Sequence, residues 1–227
     1  MYLNKNDKSN SINITKPVEI WMVRHGETIF NIKGLVQGWC DSPLTKKGVI
    51  TTSYLGKGLK EKNIQFEALY SSDLTRCLDT SQILLDNMGI SLEINLDKRL
   101  REINTGDGEG DPITEQLKKY PHSFNFKKHP GTPNGENWDD VFNRVIPALK
   151  DIGEAHKLSG GKILVVSHTM TIAAVMGYLN PEQEIASSVP NSSVTIFEYE
   201  DGNLFLKKEP DTSYSEIGIN ISESKLA

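Results

Sequence analysis

The stretch VEIWMVRHGE, residues 18–27, decides the fold. Val18 to Val23 read as a strand, and the strand runs at once into Arg24, His25, Gly26 and Glu27. A buried strand has no packing reason to end in a cation, an imidazole and a glycine. In open parallel sheets, ligands sit just beyond the carboxyl ends of strands, so such an ending points to a site. Gly26 is expected to let a ligand approach the backbone there.

A second stretch repeats the pattern: ILVVSH, residues 163–168, ends at His168. One histidine at a strand end is ordinary. Two at equivalent ends, one behind an arginine, favour a common ligand. Further strands are read at Ala68–Tyr70, Leu92–Leu96, Val194–Tyr199 and Leu204–Lys207, the last two joined by the turn pair Asp201-Gly202. Between them, apolar residues at three- and four-residue spacing predict helices. One runs from Asp73 to Met88, capped by Ser72 or Asp73, and a second from Thr45 to Leu59. A third covers Asn137–His156, with a kink at Pro147, and a fourth Met170–Leu179. Alternating strands and helices imply an α/β protein, a three-layer α/β/α sandwich around a mostly parallel sheet.

Residues 1–16 read as a flexible arm, 17–210 as a single domain, and 211–227 as a loose polar tail. A stretch at about 103–136, with Pro112, Pro121, Pro130 and Pro133, breaks the rhythm and reads as an inserted lid.

The chain has 227 residues, a formal net charge of −5 and two cysteines, Cys40 and Cys77. No basic face offers itself to nucleic acid or to a membrane surface. No disulfide framework, signal peptide or membrane span is read, which suits a cytoplasmic protein. Any bound anion must be held by local cations. Arg76 supplies one, in the first turn of its helix, where the backbone N–H groups already favour an anion. Glu102 follows a strand-like run. Two arginines, two histidines and one carboxylate suffice for phosphoryl transfer through a phosphohistidine, and no metal-binding pattern appears.

Seven ordered stretches, VRHGETIFN, VQGWCDSPLTKKG, LYSSDLTRCLDT, LREINTGDGEG, PNGENWDDVFNRV, VVSHTM and VPNSSVTIFEY, resemble the histidine phosphatase superfamily, the phosphoglycerate-mutase-like branch. The resemblance implies His25 as the phosphorylated nucleophile, Glu102 as the proton donor, and Arg24, Arg76 and His168 around the phosphate. It also implies phosphate or substrate contacts from Asn31, Gln37, Gly38 and Thr169, with no metal and no cofactor. The expected partner is a small phosphorylated substrate; the oligomeric state is left open, a homodimer included.

Of the activities in that family, a metabolite phosphatase fits better than a 2,3-bisphosphoglycerate-dependent mutase. INTGDGEGDP follows Glu102 where mutases carry a longer, distinctive segment. Leu35, Thr105, Gly108 and Thr169 depart from the usual family residues at the walls of the substrate site. Lys127, Lys128 and His129 read either as a solvated face or as a site for a second acidic group. Glu136 and Arg144 read as structural, and Cys77 as a small core residue.

Overall fold

The computed structural model describes residues 15–224, so the arm expected at 1–16 lies almost wholly outside the described residues. One six-stranded sheet has β1 (Val18–Arg24), β2 (Ala68–Ser71), β3 (Ile94–Leu96), β4 (Gly161–Ser167), β5 (Val194–Glu200) and β6 (Asn203–Asp211) in the order β3-β2-β4-β1-β5-β6. The first four run parallel, while β5 is antiparallel to both β1 and β6. Asp201 and Gly202 turn the β5–β6 hairpin with φ of 47° and 83°, the left-handed pair that matches the twist of two paired strands.

β1 is apolar on both sides because helices cover both sheet faces. Val18, Ile20 and Met22 enter a core with α5 (Trp138–His156) and α6 (Thr169–Leu179). Trp21 and Val23 enter the opposite core, with α2 (Lys46–Glu61) and α3 (Thr75–Met88), where Cys77 is also buried. Each such side chain contributes about 1.5–3 kcal/mol of burial. Asn137 caps α5 in a capping box with Asp140, and the helix continues through Pro147.

The short helix α1 (Ile29–Lys33) is absent from the sequence reading, and several boundaries differ, β6 running on to Asp211 past the expected end at Lys207. β3 begins at Ile94, two residues late. α3 begins at Thr75 and is capped by neither Ser72 nor Asp73: the carboxylate of Asp41 accepts the Thr75 N–H from across a loop. The largest correction concerns the segment after Asp211, read as a loose tail. Ser213–Ser224 form α7, which lies along α2. Two glycines allow the approach: a Cβ on Gly58 would run into the Tyr214 carbonyl, and one on Gly218 into the Tyr54 carbonyl. The polar composition of this helix conceals these backbone contacts and the packing of Tyr214 against Trp21, with ring centroids 5.7 Å apart.

Residues 103–136 hold a short 3-10 turn at Gly106–Gly108 and α4 (Ile113–Lys119), linked by turns. They cover the carboxyl ends of β1 and β4 and form one wall of a cavity there. No helix among the described residues is long and apolar enough to cross a membrane.

Candidate active site

The register places Arg24 of β1 beside Ser167 of β4, so the residues that follow, His25 and His168, emerge side by side. The His25 N–H donates to the Ser167 carbonyl at 3.0 Å, and the two imidazoles stand edge to face with centroids 5.2 Å apart. Both rings are buried.

His25 Nδ1 lies 2.8 Å from the Gly26 carbonyl, which can only accept. The ring proton is therefore on Nδ1, and Nε2 keeps its lone pair. Burial, reinforced by the charges of Arg76 and Arg24, holds the His25 pKa well below that of a free imidazole. His168 has the opposite tautomer. Arg76 Nε donates to its Nδ1 at 3.2 Å, so the proton sits on Nε2, which is 2.8 Å from Ser72 Oγ. Burial and the same guanidinium depress its pKa too.

Arg76 has no solvent exposure, and each of its three side-chain nitrogens has a partner. Beyond His168 it donates to the carbonyls of Gly38 (2.7 Å) and Cys40 (2.9 Å) and to the Asp41 carboxylate (3.1 Å). The loop carrying those carbonyls is gathered by Glu109, whose carboxylate accepts the N–H groups of Gly38, Trp39, Cys40 and Thr105 at 2.7–3.1 Å. Those bonds outweigh burial and keep the Glu109 pKa below its ordinary value.

Glu102 is buried at the amino end of α6, where it accepts from the N–H groups of Met170 (3.2 Å) and Thr171 (3.1 Å). Desolvation prevails over these bonds and over Arg76, and raises its pKa. Its backbone is held in turn by Arg144, which donates to the carbonyls of Arg99, Arg101 and Glu102 while pairing with Glu136 at 2.8 Å.

In front of His25 lies a cavity of about 210 Å³, lined near the ring by Arg24, Asn31, Gln37, Glu102 and Thr169. Arg24 Nε and Gln37 Nε2 are buried there without partners. Asn31 Oδ1 accepts from the Thr28 N–H (3.1 Å) and from Asn191 Nδ2 (3.2 Å), which orients the Asn31 amide with its NH₂ away from both donors. Unpaired donors beside a buried imidazole are the makings of an anion site.

The structure thus brings His25, Arg24, Asn31, Gln37, Glu102 and Thr169 to one cavity wall. Arg76 and His168 stand directly against the His25 side but are not part of that wall. Gly38 is not brought there either: its N–H goes to Glu109 and its carbonyl to Arg76. Gly26 has a different role from the expected one. A Cβ there would meet Thr52 and the Gly48 carbonyl, so the glycine admits α2 and not a ligand. Lys127 and Lys128 are exposed and off the cavity, whereas His129 lines it. Asp41, Glu109 and Asn191 escaped the sequence reading; only their positions inside the quoted stretches hinted at them. Among the described residues no three His, Cys, Asp or Glu side chains gather as a metal site.

The family model for the histidine phosphatase superfamily (branch 1) matches residues 20–212. Phosphoglycerate mutase-like protein 4 of Arabidopsis thaliana is 34% identical over 193 residues, covering 82% of this chain and 81% of its own. A 2,3-bisphosphoglycerate-dependent phosphoglycerate mutase of Bartonella tribocorum is 34% identical over 185 residues, covering 74% and 88%. The crystal structure of a phosphoglycerate mutase from Bacillus anthracis superposes with a TM-score of 0.79 at 31% identity, covering 91% of this chain and 99% of that one.

Proposed function

We propose that this chain, which belongs to the histidine phosphatase superfamily (branch 1), is a phosphatase of small phosphomonoesters that works through a phosphohistidine on His25 and needs no metal ion. The observation that carries the proposal is the tautomer of His25. With Nδ1–H tied to the Gly26 carbonyl and the ring kept neutral, Nε2 faces the reacting phosphorus as a fixed nucleophile.

In the first step Nε2 attacks phosphorus and the P–O ester bond breaks. The leaving oxygen takes the proton of Glu102, whose pKa burial raises, making it more available as a proton donor than a free carboxyl group. Water then attacks the phosphohistidine, Glu102 accepts its proton, and phosphate departs with His25 restored. Arg24, Asn31, Gln37 and the Thr169 N–H hold the equatorial oxygens. Arg76 and His168, behind the ring, offset charge that develops on the phosphoryl group.

A mutase is the second reading, favoured by the name of the 34% identical Bartonella relative. There the phosphoryl group returns to a bound product instead of to water. Phosphate release from an aryl phosphate in the presence of EDTA, with His25→Ala alongside, tests the phosphatase. Metal-independent turnover lost in the variant supports it. Absent turnover, with interconversion of phosphoglycerates primed by 2,3-bisphosphoglycerate, moves the assignment to the mutase.

A further inference from the structure

The cavity extends well beyond the phosphate donors, and its far half has a distinct chemistry. Leu35, Ile113, Leu117 and Phe124 make much of its wall apolar. Two residues of the same wall each carry a buried polar atom without a partner: Gln116 at Oε1 and His129 at Nδ1. Gly108 makes room for one of them, since a Cβ there would strike the Gln116 amide at 2.7 Å. Arg24, at the phosphate end, is the one arginine or lysine on the wall among the described residues. The carboxylate of Glu136 also lines the cavity, already paired with Arg144. His129 adds no cation at neutral pH, because burial lowers its pKa.

Buried polar atoms without partners are costly unless a ligand satisfies them. A Gln carbonyl oxygen asks for a donor, and a neutral imidazole nitrogen pairs with a hydroxyl as donor or acceptor. A second carboxylate or phosphate in this half would be desolvated with no cation to face it. We infer that the far half of the cavity is a leaving-group subsite for an uncharged alcohol that carries a hydroxyl beside an apolar face. The inference rests on the phosphatase reading above and narrows it: carboxylated and doubly phosphorylated esters are selected against, hydroxylated neutral ones are favoured.

Two esters of matched shape test it, 4-(hydroxymethyl)phenyl phosphate and 4-carboxyphenyl phosphate. The wild type is expected to hydrolyse the hydroxymethyl ester with at least tenfold higher kcat/KM, and His25→Ala to bind it at least tenfold more tightly by calorimetry. Gln116→Lys, or Leu35→Arg should the first variant not fold, places a cation in the subsite and is expected to move both ratios at least tenfold toward the carboxyl ester. Equal handling of the two esters by the wild type, or preference for the carboxyl ester, overturns the inference and leaves the phosphatase reading intact. Absent hydrolysis with the binding preference retained does the reverse: the subsite stands and the phosphatase reading falls.

Discussion

Arg76 and His168 are joined by a hydrogen bond of 3.2 Å from guanidinium Nε to imidazole Nδ1, and neither side chain reaches solvent. The bond fixes a neutral His168 while the arginine's fork, Nη1 and Nη2, holds the Gly38–Asp41 loop, so one side chain ties α3, the start of α6 and the loop together. Lysine keeps the charge but cannot supply the fork. Arg76→Lys is expected to lower kcat roughly 100-fold. Stability should fall by about 1–3 kcal/mol, as buried carbonyls lose their donors. Steady-state kinetics and urea unfolding check the two effects.

The Glu109 carboxylate gathers four N–H groups with one charge, and the loop it gathers holds Arg76. Glu109→Gln keeps the shape but loses charge-assisted acceptance, at about 1–3 kcal/mol. A fall in kcat with KM for phosphate esters nearly unchanged is expected, since Glu109 touches no ligand. An unaltered kcat in a destabilised variant would mean that the loop does not set the Arg76 position.

The raised pKa of Glu102 predicts the form of its variant's kinetics. Glu102→Gln cannot protonate a departing alkoxide. Turnover of an alkyl phosphate should fall by roughly 1,000-fold, and that of 4-nitrophenyl phosphate far less, because its phenolate leaves unprotonated. Equal losses on both esters would remove Glu102 from the acid role.

Two buried imidazoles whose pKa values are depressed on folding make the protein acid-sensitive. Below a pH of about 6.5 the unfolded chain binds protons at both sites that the folded chain does not, so stability falls as pH drops. Each imidazole contributes about 1 kcal/mol of loss between pH of about 7.5 and about 5.5. Glu102 opposes them: its raised folded pKa stabilises the fold as pH falls toward the ordinary carboxylate range. Glu102→Gln should therefore lose stability more steeply on acidification than the wild type, as thermal melts taken from neutral pH down to about 4.5 will show.

The C-terminal helix gives a prediction away from the site. Gly218→Val places a side chain against the Tyr54 carbonyl and should release α7 from α2. Faster amide exchange confined to residues 213–224 and the facing turns of α2 is the expected signature.

Much of this was legible in the linear order of residues. β1 and β4 announce themselves because each is buried on both faces and then stops at a histidine, and strand ends are where parallel sheets collect ligands. The departures at Leu35, Thr105 and Gly108 also proved local to one place, the far half of the cavity and the Gln116 amide packed there. What stayed hidden were contacts made across distance by ordinary residues. Glu109 lies 71 positions from the Gly38 N–H it accepts, and Asn191 lies 160 from Asn31; no periodicity encodes either. α7 is hard to read because Ser, Glu and Asn dominate residues 213–224 and mask Tyr214, Ile217 and Ile221, which recur at helical spacing. Gly26 was misread because a crowded backbone and an open one both ask for glycine.

The most direct test of the account is to quench the enzyme with a labelled phosphomonoester at alkaline pH, where phosphohistidine survives, and to locate the label by peptide mass spectrometry. The account predicts one phosphoryl group on the peptide that carries His25, formed in a burst before steady-state phosphate release and absent from His25→Ala. Label on another residue, or turnover by His25→Ala at the wild-type rate, would contradict it.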